Sequence, residues 1–390
     1  MKILTLSDLQ LSGGASVACN RISAAVRSCG ANIFSSSSDG IHSKTHQTLF
    51  LGRKFELLNR LFGSALPFTF VEELRDKELH KQLSKILRAV KPDIINAHNL
   101  HSAGWPISLI KRCLYFAPVV WTLHDCWSFL GAYYPTHSAP QSPKLKYEIN
   151  RFWESLKRNP PKHPLSASTP STWMKNEAQD SQWADHKVEV IHNPVPDSFF
   201  VSRDRIACKR ALGLNETKAT ILCIAGNLKE ERKGGQILSE ILADDLSQKI
   251  EIVLIGNGYS ATSNSENVKF LGFVRDEITL QIAYSAADIL LHPAPIDNLP
   301  NTVAESMSCG TPVLAFDTGG LPEMVVPEQS GWLVSSINSE EMIHSLKNIL
   351  EATSQINLRN STREIASNLF KSSRIGEKYY SLFSRCLANQ

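Results

Sequence analysis

The sequence predicts two doubly wound α/β domains, each built on a parallel sheet. Three observations point there. Short apolar strands alternate with amphipathic helices along the whole chain. The length of 390 residues suits two domains of ordinary size. With 42% hydrophobic and 20% charged residues, the chain can also bury two cores.

In chain order, Lys2–Leu6 reads as the first strand, and Ala15–Cys29 as a helix after Ser12-Gly13-Gly14. Val71–Val90 carries apolar residues at Val71, Leu74, Leu83, Ile86, Leu87 and Val90, which is helical spacing. Asp93–Ala97 and Val119–Leu123 are short strands rich in β-branched residues. Residues 135–164 are rich in Pro, Lys and Ser with little periodicity, and read as a mobile excursion of the first domain. A strand at Val188–Ile191 leads into Ile191–Phe200, whose two prolines suggest the interdomain linker. Arg203–Leu212 opens the second domain, and Thr220–Gly226, Asp288–His292 and Val313–Phe316 are its buried strands. A last helix spans about Ser372–Ala388. The expected division is 1–192, 193–371, and 372–390 as a terminal helix.

The chemistry concentrates in Asp297-Asn-Leu-Pro-Asn-Thr-Val-Ala-Glu305. It sets two carboxylates eight positions apart, with a helix entry at Leu299-Pro300-Asn301-Thr302 between them. Asn or Thr is expected as the cap, with Glu305 in the first turn. Cys309-Gly310-Thr-Pro312 closes the helix. A helix N-terminus at the C-terminal edge of a parallel sheet suits a phosphate, and carboxylates accept hydrogen bonds from sugar hydroxyls. The expected ligand is a sugar joined to phosphate.

Several motifs in this order resemble the retaining glycosyltransferases of the GT-B fold, family 4 (glycosyl transferases group 1). Asp297–Glu305 resembles their E-x7-E motif, with Asp in place of the first Glu. The phrase DNLPNTVAESMSCGTPVLAFDTGGLPE looks like the variant of bacterial polysaccharide glycosyltransferases of the colanic-acid type. The resemblance implies two Rossmann-like domains facing a central cleft: an N-terminal acceptor domain, a C-terminal nucleotide-sugar domain, and a C-terminal helix crossing back. It also implies that Glu305 binds the donor ribose, that Asp297 binds the transferred sugar, and that Lys233 with the amides near Asn298, Leu299, Pro300, Asn301 and Thr302 binds the diphosphate.

Thr220–Gly235 adds a buried strand into Gly226 and a polar loop that delivers Arg232-Lys233-Gly234 at a helix start. A cation there can neutralise a diphosphate leaving group. Where the family has Arg just after the first glycine, this chain has Asn227, so Arg232 or Lys229 is a candidate substitute. Gly272-Phe273-Val274 resembles the loop that meets the nucleobase through backbone groups, although any buried strand can look similar. Gly13-Gly14 permits close backbone approach to a ligand, and a tight turn explains it equally well. His124 and Asp125 emerge after the Val119 strand, where the family often has a donor-contacting His; Asp125 is expected on the acceptor side. His98 and His101, at the neighbouring strand end, either line the acceptor side or serve the core.

Composition sets further bounds. The eight cysteines are scattered and none forms CxxC, which argues against zinc and fits a reducing cytoplasm. Ile3–Leu6 is too short for a secretory h-region, and no apolar stretch approaches the roughly 20 residues of a membrane span. The net charge of +3 hides a split: residues 1–190 hold 23 Lys+Arg against 15 Asp+Glu, and residues 191–390 hold 18 against 23. Lys77, Lys81, Lys85 and Arg88 on one expected helix suit peripheral contact with an anionic membrane, and a solvated helix face explains them too. No nucleic-acid motif accompanies the charge. No DxD metal motif, P-loop or serine elbow is present, so no metal and no cofactor is expected beyond the nucleoside-diphosphate sugar itself. The acceptor expected is a glycan or polyprenyl-linked sugar. The competing functions are a GT-B sugar-nucleotide epimerase and an inactive binding subunit. An NAD-dependent oxidoreductase lacks its G-x-G-x-x-G.

Overall fold

The computed structural model describes residues 1–10, 13–39, 45–49, 68–135, 143–259, 266–352 and 358–388. Ser12 of the first glycine loop lies outside them. The chain divides into two compact units, Met1–Pro194 with Ser373–Gln390, and Val195–Ser372.

The first unit carries β1 (Lys2–Leu6), α1 (Gly14–Ser28), β2 (Asn32–Ser37), β3 (His46–Thr48), α2 (Phe68–Val90), β4 (Ile94–Ala97), α3 (Ser108–Cys113), β5 (Val119–Thr122), α4 (Trp127–Leu130), α5 (Pro143–Arg158), β6 (Leu165–Thr169), α6 (Thr172–Gln179) and β7 (Lys187–Val190). The strands form one parallel seven-stranded sheet in the order β3-β2-β1-β4-β5-β6-β7. β4, β5 and β6 are buried at every position, as a sheet covered on both faces requires. The C-terminal helix Ser372–Ala388 belongs to this unit. Its Ile375, Tyr379, Leu382 and Phe383 pack with Ile3, Ile22, Val26 and Ile33.

Of the stretch 135–164, residues 136–142 lie outside the described residues, and the remainder is not the excursion expected. α5 spans Pro143–Arg158 and buries Ile149, Phe152, Trp153 and Leu156. Trp153 Nε1 donates to Ser128 O at 3.0 Å, and Trp183 packs on Trp153 with ring centroids 5.0 Å apart. Two aromatic rings and a buried indole hydrogen bond hold the helix down. α2, α3 and α5 make one layer: Arg112 Nε donates to Ser84 Oγ at 2.8 Å, and Lys111 Nζ to Ser155 O at 3.2 Å. Lys77, Lys81, Lys85 and Arg88 are all exposed on α2, opposite its buried Leu79, Leu83, Ile86 and Leu87.

The second unit carries α7 (Arg205–Ala211), β8 (Thr220–Asn227), α8 (Gly235–Ala243), β9 (Glu251–Asn257), β10 (Val268–Gly272), α9 (Glu277–Ala286), β11 (Ile289–His292), α10 (Asn301–Ser308), β12 (Val313–Phe316), β13 (Gly331–Val334), α11 (Ser339–Ala352) and α12 (Arg359–Phe370). Its parallel sheet runs β10-β9-β8-β11-β12-β13. Apolar layers cover both faces, one around Leu222, Leu290, Val303 and Phe370, the other around Ile221, Leu238, Leu291 and Leu346. Asp288 pins α7 to the sheet: it takes Arg205 at 2.7 Å, the fully buried Lys209 at 3.2 Å and the Thr220 amide at 2.9 Å.

Two local expectations change. Pro300, not Asn or Thr, is the cap of α10 and makes no side-chain capping bond, so Glu305 is the fifth helical residue and falls in the second turn. Lys233 ends a 3-10 turn, Glu231–Lys233, that precedes α8. Gly234 forces the break: its φ is +79°, and a Cβ there would lie 2.1 Å from Pro293 O.

Candidate active site

In the second sheet β8 lies between β9 and β11, so the chain leaves its first strand toward opposite sides. The crevice beyond the C-terminal ends of β8 and β11 is the switch point where open parallel sheets bind ligands. The loop after β8 brings Lys233 there, and the loop after β11 brings Asp297. Lys233 Nζ donates to Asp297 Oδ2 at 2.6 Å. Asp297 Oδ1 accepts the Asn298 amide at 2.9 Å. Gly319, at φ +59°, lets the next strand's loop close over this turn: a Cβ would lie 2.1 Å from Asp297 O, and Gly320 N donates to that oxygen at 3.0 Å.

Asp297 is 4% exposed. Burial alone would raise its pKa; the Lys233 ammonium and His292 more than offset this and hold the carboxyl well below its usual range. His292 ends β11 with Nε2 at 3.6 Å from Asp297 Oδ2, an ion-pair separation but too long for a hydrogen bond. That buried nitrogen has no hydrogen-bond partner. The sequence reading missed His292, because a histidine ending an apolar strand carries no motif.

Glu305, eight residues on, is buried and faces other groups. Tyr284 Oη donates to its Oε2 at 2.8 Å, and Tyr284 itself is fully buried on α9. Nothing in the sequence around Tyr284 signals this contact. Asn298, Leu299 and Pro300 are buried, while Asn301 and Thr302 are half-buried at the start of α10.

Gly226 and Asn227 are exposed at the end of β8. Asn227 Oδ1 accepts the Lys229 amide at 3.1 Å, so the residue in the expected cation position closes its own loop. Arg232 is engaged by Glu230 at 2.8 Å, and Lys229 Nζ sits 5.2 Å over the Tyr259 ring. Gly272, at the end of β10, has φ +72° with open space where a Cβ would stand. Phe273 is exposed under Arg275, 5.6 Å from its ring centroid, and Val274 packs against the core.

The first unit builds a separate polar cluster. In its sheet β1 lies between β2 and β4, which makes a second switch point. Gly13, at φ +89°, precedes α1, and Gly13 and Gly14 are exposed. Asp8, missed from the sequence, is buried and accepts the amides of Leu9 at 2.8 Å and Ala103 at 3.0 Å. After β4 and β5, His98 Nδ1 meets His124 Nε2 at 2.9 Å with their rings stacked. Burial, then the neighbouring His124, holds His98 well below the usual histidine range. Burial, then His101, lowers His124 to about 4.

Asp125 Oδ1 accepts the Trp127 amide at 3.0 Å, and Oδ2 accepts Asn99 Nδ2 at 3.1 Å. Burial raises its pKa against these bonds. His101 stacks on Trp127 with centroids 5.2 Å apart, and its Nε2 lies 3.4 Å from Asp125 Oδ2 without hydrogen-bond geometry. His98, His101, His124 and Asp125 therefore stand together. The site residues gather at the C-terminal edge of each sheet, each unit holding its own set.

Residues 219–352 match the family described as glycosyl transferases group 1, and residues 48–199 match glycosyltransferase family 4. D-inositol 3-phosphate glycosyltransferase of Segniliparus rotundus is 28% identical over 185 residues, 44% of this chain and 40% of that protein. The enzyme of the same description from Mycolicibacterium vanbaalenii is 24% identical over 288 residues, 67% of this chain and 60% of that protein. The chain thus spans less than two thirds of the length of either relative. Sucrose-phosphate synthase from Thermosynechococcus elongatus has the same fold, with a TM-score of 0.78, 17% identity and 100% of both chains covered. So does HepE of Anabaena, solved with UDP and glucose, at TM-score 0.68 and 19% identity, over 98% of this chain and 99% of that one.

Proposed function

Because the chain belongs to the glycosyl transferases of group 1 and family 4, a GT-B family, we propose that it is a retaining enzyme that moves a hexose-like sugar from a nucleoside diphosphate to a glycan or polyprenyl-linked acceptor of the cell envelope. The observation that carries this reading is the Lys233–Asp297 pair at the switch point of the second sheet. The donor diphosphate competes with Asp297 for the Lys233 ammonium. Charge that develops on the leaving phosphate is then met by a cation already in place. Amides at the start of α10, those of Leu299, Asn301 and Thr302, add hydrogen-bond donors. Asp297, released from Lys233, accepts from hydroxyls of the transferred sugar. Glu305, steadied by Tyr284, takes the ribose. Gly272, Phe273 and Val274 meet the base through backbone groups. The nucleophile attacks on the face the diphosphate leaves, and the departing phosphate takes its proton, so the enzyme supplies no general base. Lys233 does the work a divalent ion would do elsewhere, and the reaction runs without metal.

The first unit holds 26 Lys+Arg against 16 Asp+Glu, a charge of +10. Among the described residues no helix is long and apolar enough to cross a membrane. The exposed stripe Lys77, Lys81, Lys85 and Arg88 on α2 suits peripheral contact with an anionic cytoplasmic leaflet that presents a lipid-linked acceptor.

Asn227 is uncharged and Arg232 is engaged by Glu230, which favours a second reading: a subunit that binds sugar nucleotide without turning it over. One experiment separates the two. UDP-, GDP- or ADP-sugar is supplied with an envelope lipid extract. Nucleoside diphosphate release that needs both components, with a product anomer matching the donor, supports the transferase. Binding without release supports the subunit.

A further inference from the structure

His292 closes β11 with a buried ring nitrogen that is not used. Its Nε2 has no hydrogen-bond partner and lies 3.6 Å from Asp297 Oδ2. A buried polar atom in that condition calls for a reason. The carboxylate it faces supplies one. Lys233 Nζ already donates to the same Oδ2 at 2.6 Å, and Oδ1 accepts the Asn298 amide at 2.9 Å. Two side chains that can carry positive charge thus address one oxygen, and Lys233 holds the shorter contact.

The three groups differ in their freedom to move. His292 is set by the sheet, where it registers with Ala315 of β12. Asp297 is set by its backbone, since Gly320 N donates to its carbonyl at 3.0 Å. Lys233 ends a 3-10 turn, and its side chain is 24% exposed against 6% for that of Asp297. The ammonium can therefore turn outward to an anion while the carboxylate and the imidazole stay. Asp297 would then keep its burial and lose the nearest cation that offsets it. Bringing His292 Nε2 to charge-assisted hydrogen-bond distance from Oδ2 needs a closure of about 0.8 Å. The other charged groups on the surrounding elements are Glu230 and Arg232, paired with each other at 2.8 Å, Glu231 on the same turn, Asp317 and Glu323 after β12, and Glu305 on α10, which Tyr284 holds.

We propose that His292 is a positioning residue that takes over Asp297 when Lys233 turns to the donor diphosphate: its imidazole takes one proton from solvent and becomes the counter-ion of the carboxylate, so that donor binding consumes a proton. This rests on the proposed placement of the diphosphate at Lys233. The proton goes to His292 and not to Asp297. An imidazolium leaves both carboxylate oxygens as acceptors for sugar hydroxyls, whereas a protonated carboxyl turns one of them into a donor. The sign follows from linkage: a complex that holds more protons than its free components weakens as pH rises.

The test is calorimetry of the full-length protein at pH 7 with UDP-, GDP- and ADP-glucose, each in HEPES and in Tris. The two buffers differ in ionisation enthalpy, so the difference in observed heat counts protons. A sugar nucleotide has no phosphate that titrates near pH 7, so the count belongs to the protein. A donor that binds should draw about half to one proton into the complex, and its affinity should fall as pH rises. His292→Gln keeps an amide donor but cannot titrate. It should bind the donor with no proton taken up and with an affinity that no longer follows pH. A merely structural histidine would instead lower affinity at every pH and leave the proton count unchanged. Zero uptake or net release by the wild type overturns the proposal, and so does unchanged uptake in a folded His292→Gln protein. A second measurement needs no donor. In Lys233→Met, the His292 ring, identified by NMR as the signal that His292→Gln lacks, should titrate at higher pH than in the wild type. An equal midpoint overturns the pairing whether or not a donor binds. Failure of all three donors to bind counts against the proposed function, and the Lys233→Met spectra then decide the His292 pairing.

Discussion

Replacing Lys233 by alanine removes the ammonium 2.6 Å from the buried Asp297 carboxylate. Deleting one partner of a buried ion pair costs about 3–5 kcal/mol. The Lys233 side chain keeps 24% exposure, so water screens part of the interaction and about 2–3 kcal/mol is expected here. For a unit of this size that corresponds to about 6 °C in Tm. The pH dependence carries more information than the size. In the wild type the Asp297 pKa is depressed, so its contribution is complete above the ordinary carboxylate range and is lost only on strong acidification. In the variant burial is opposed by His292 alone, and the folded pKa moves upward. Its penalty is then absent below the unfolded pKa and grows as pH rises through the raised folded value. The stability gap between the two proteins should be larger at pH 7 than at pH 5. Thermal melts of both full-length proteins at the two pH values measure it. An equal gap at both, or a shift under about 1 °C at pH 7, would refute the view that Lys233 is what keeps Asp297 charged. The variant should also lose most of its turnover at saturating donor, because the same charge is assigned to the diphosphate.

Glu305→Gln should weaken donor binding by about 1–3 kcal/mol in calorimetry, since a charged hydrogen bond to ribose is lost; equal affinity would remove Glu305 from that role. Activity should persist within about twofold in EDTA, because Lys233 supplies the cation; complete loss, restored by magnesium or manganese, would contradict this. Flotation should show binding to vesicles with anionic lipid and not to neutral ones, weakened by salt and abolished when Lys77, Lys81, Lys85 and Arg88 become Glu. Each basic residue near the surface is worth about 1 kcal/mol. No flotation at low salt would leave the basic stripe as a solvated helix face.

The alternation of strands and helices was legible because parallel strands buried on both faces must be continuous apolar runs. Lys2–Leu6 coincides with β1, Val313–Phe316 with β12 and Ser372–Ala388 with the last helix. α5 was hidden, although its buried residues fall at 149, 152, 153 and 156 with helical spacing. The six basic residues and the prolines of 135–164 outweighed four apolar positions in a composition-led reading. The cap of α10 was misplaced by one step because proline pre-sets an extended cap without a side-chain bond, a geometry that a search for Ser, Thr, Asp or Asn passes over.

Within the site, residues on loops after strands could be placed from sequence, since the chain direction in a parallel sheet carries every such loop to one edge. Lys233 and Asp297 do meet. What could not be read were partners distant in sequence. Tyr284 reaches Glu305 from a helix 21 positions away, and His292 reaches Asp297 from the end of its own strand. Nor could the role of Asn227 be read: its contact with the Lys229 amide depends on a turn that only the folded loop defines.

The central claim is that the crevice at Lys233 and Asp297 holds the diphosphate of a sugar nucleotide. Calorimetric titration of the wild type and Lys233→Ala with UDP, GDP and ADP tests it most directly. The account predicts that one nucleotide binds the wild type at one site per chain, and that Lys233→Ala binds it at least about tenfold more weakly, the loss of one charge-assisted contact. Failure of all three to bind at millimolar concentration, or equal affinity in the two proteins, would contradict it.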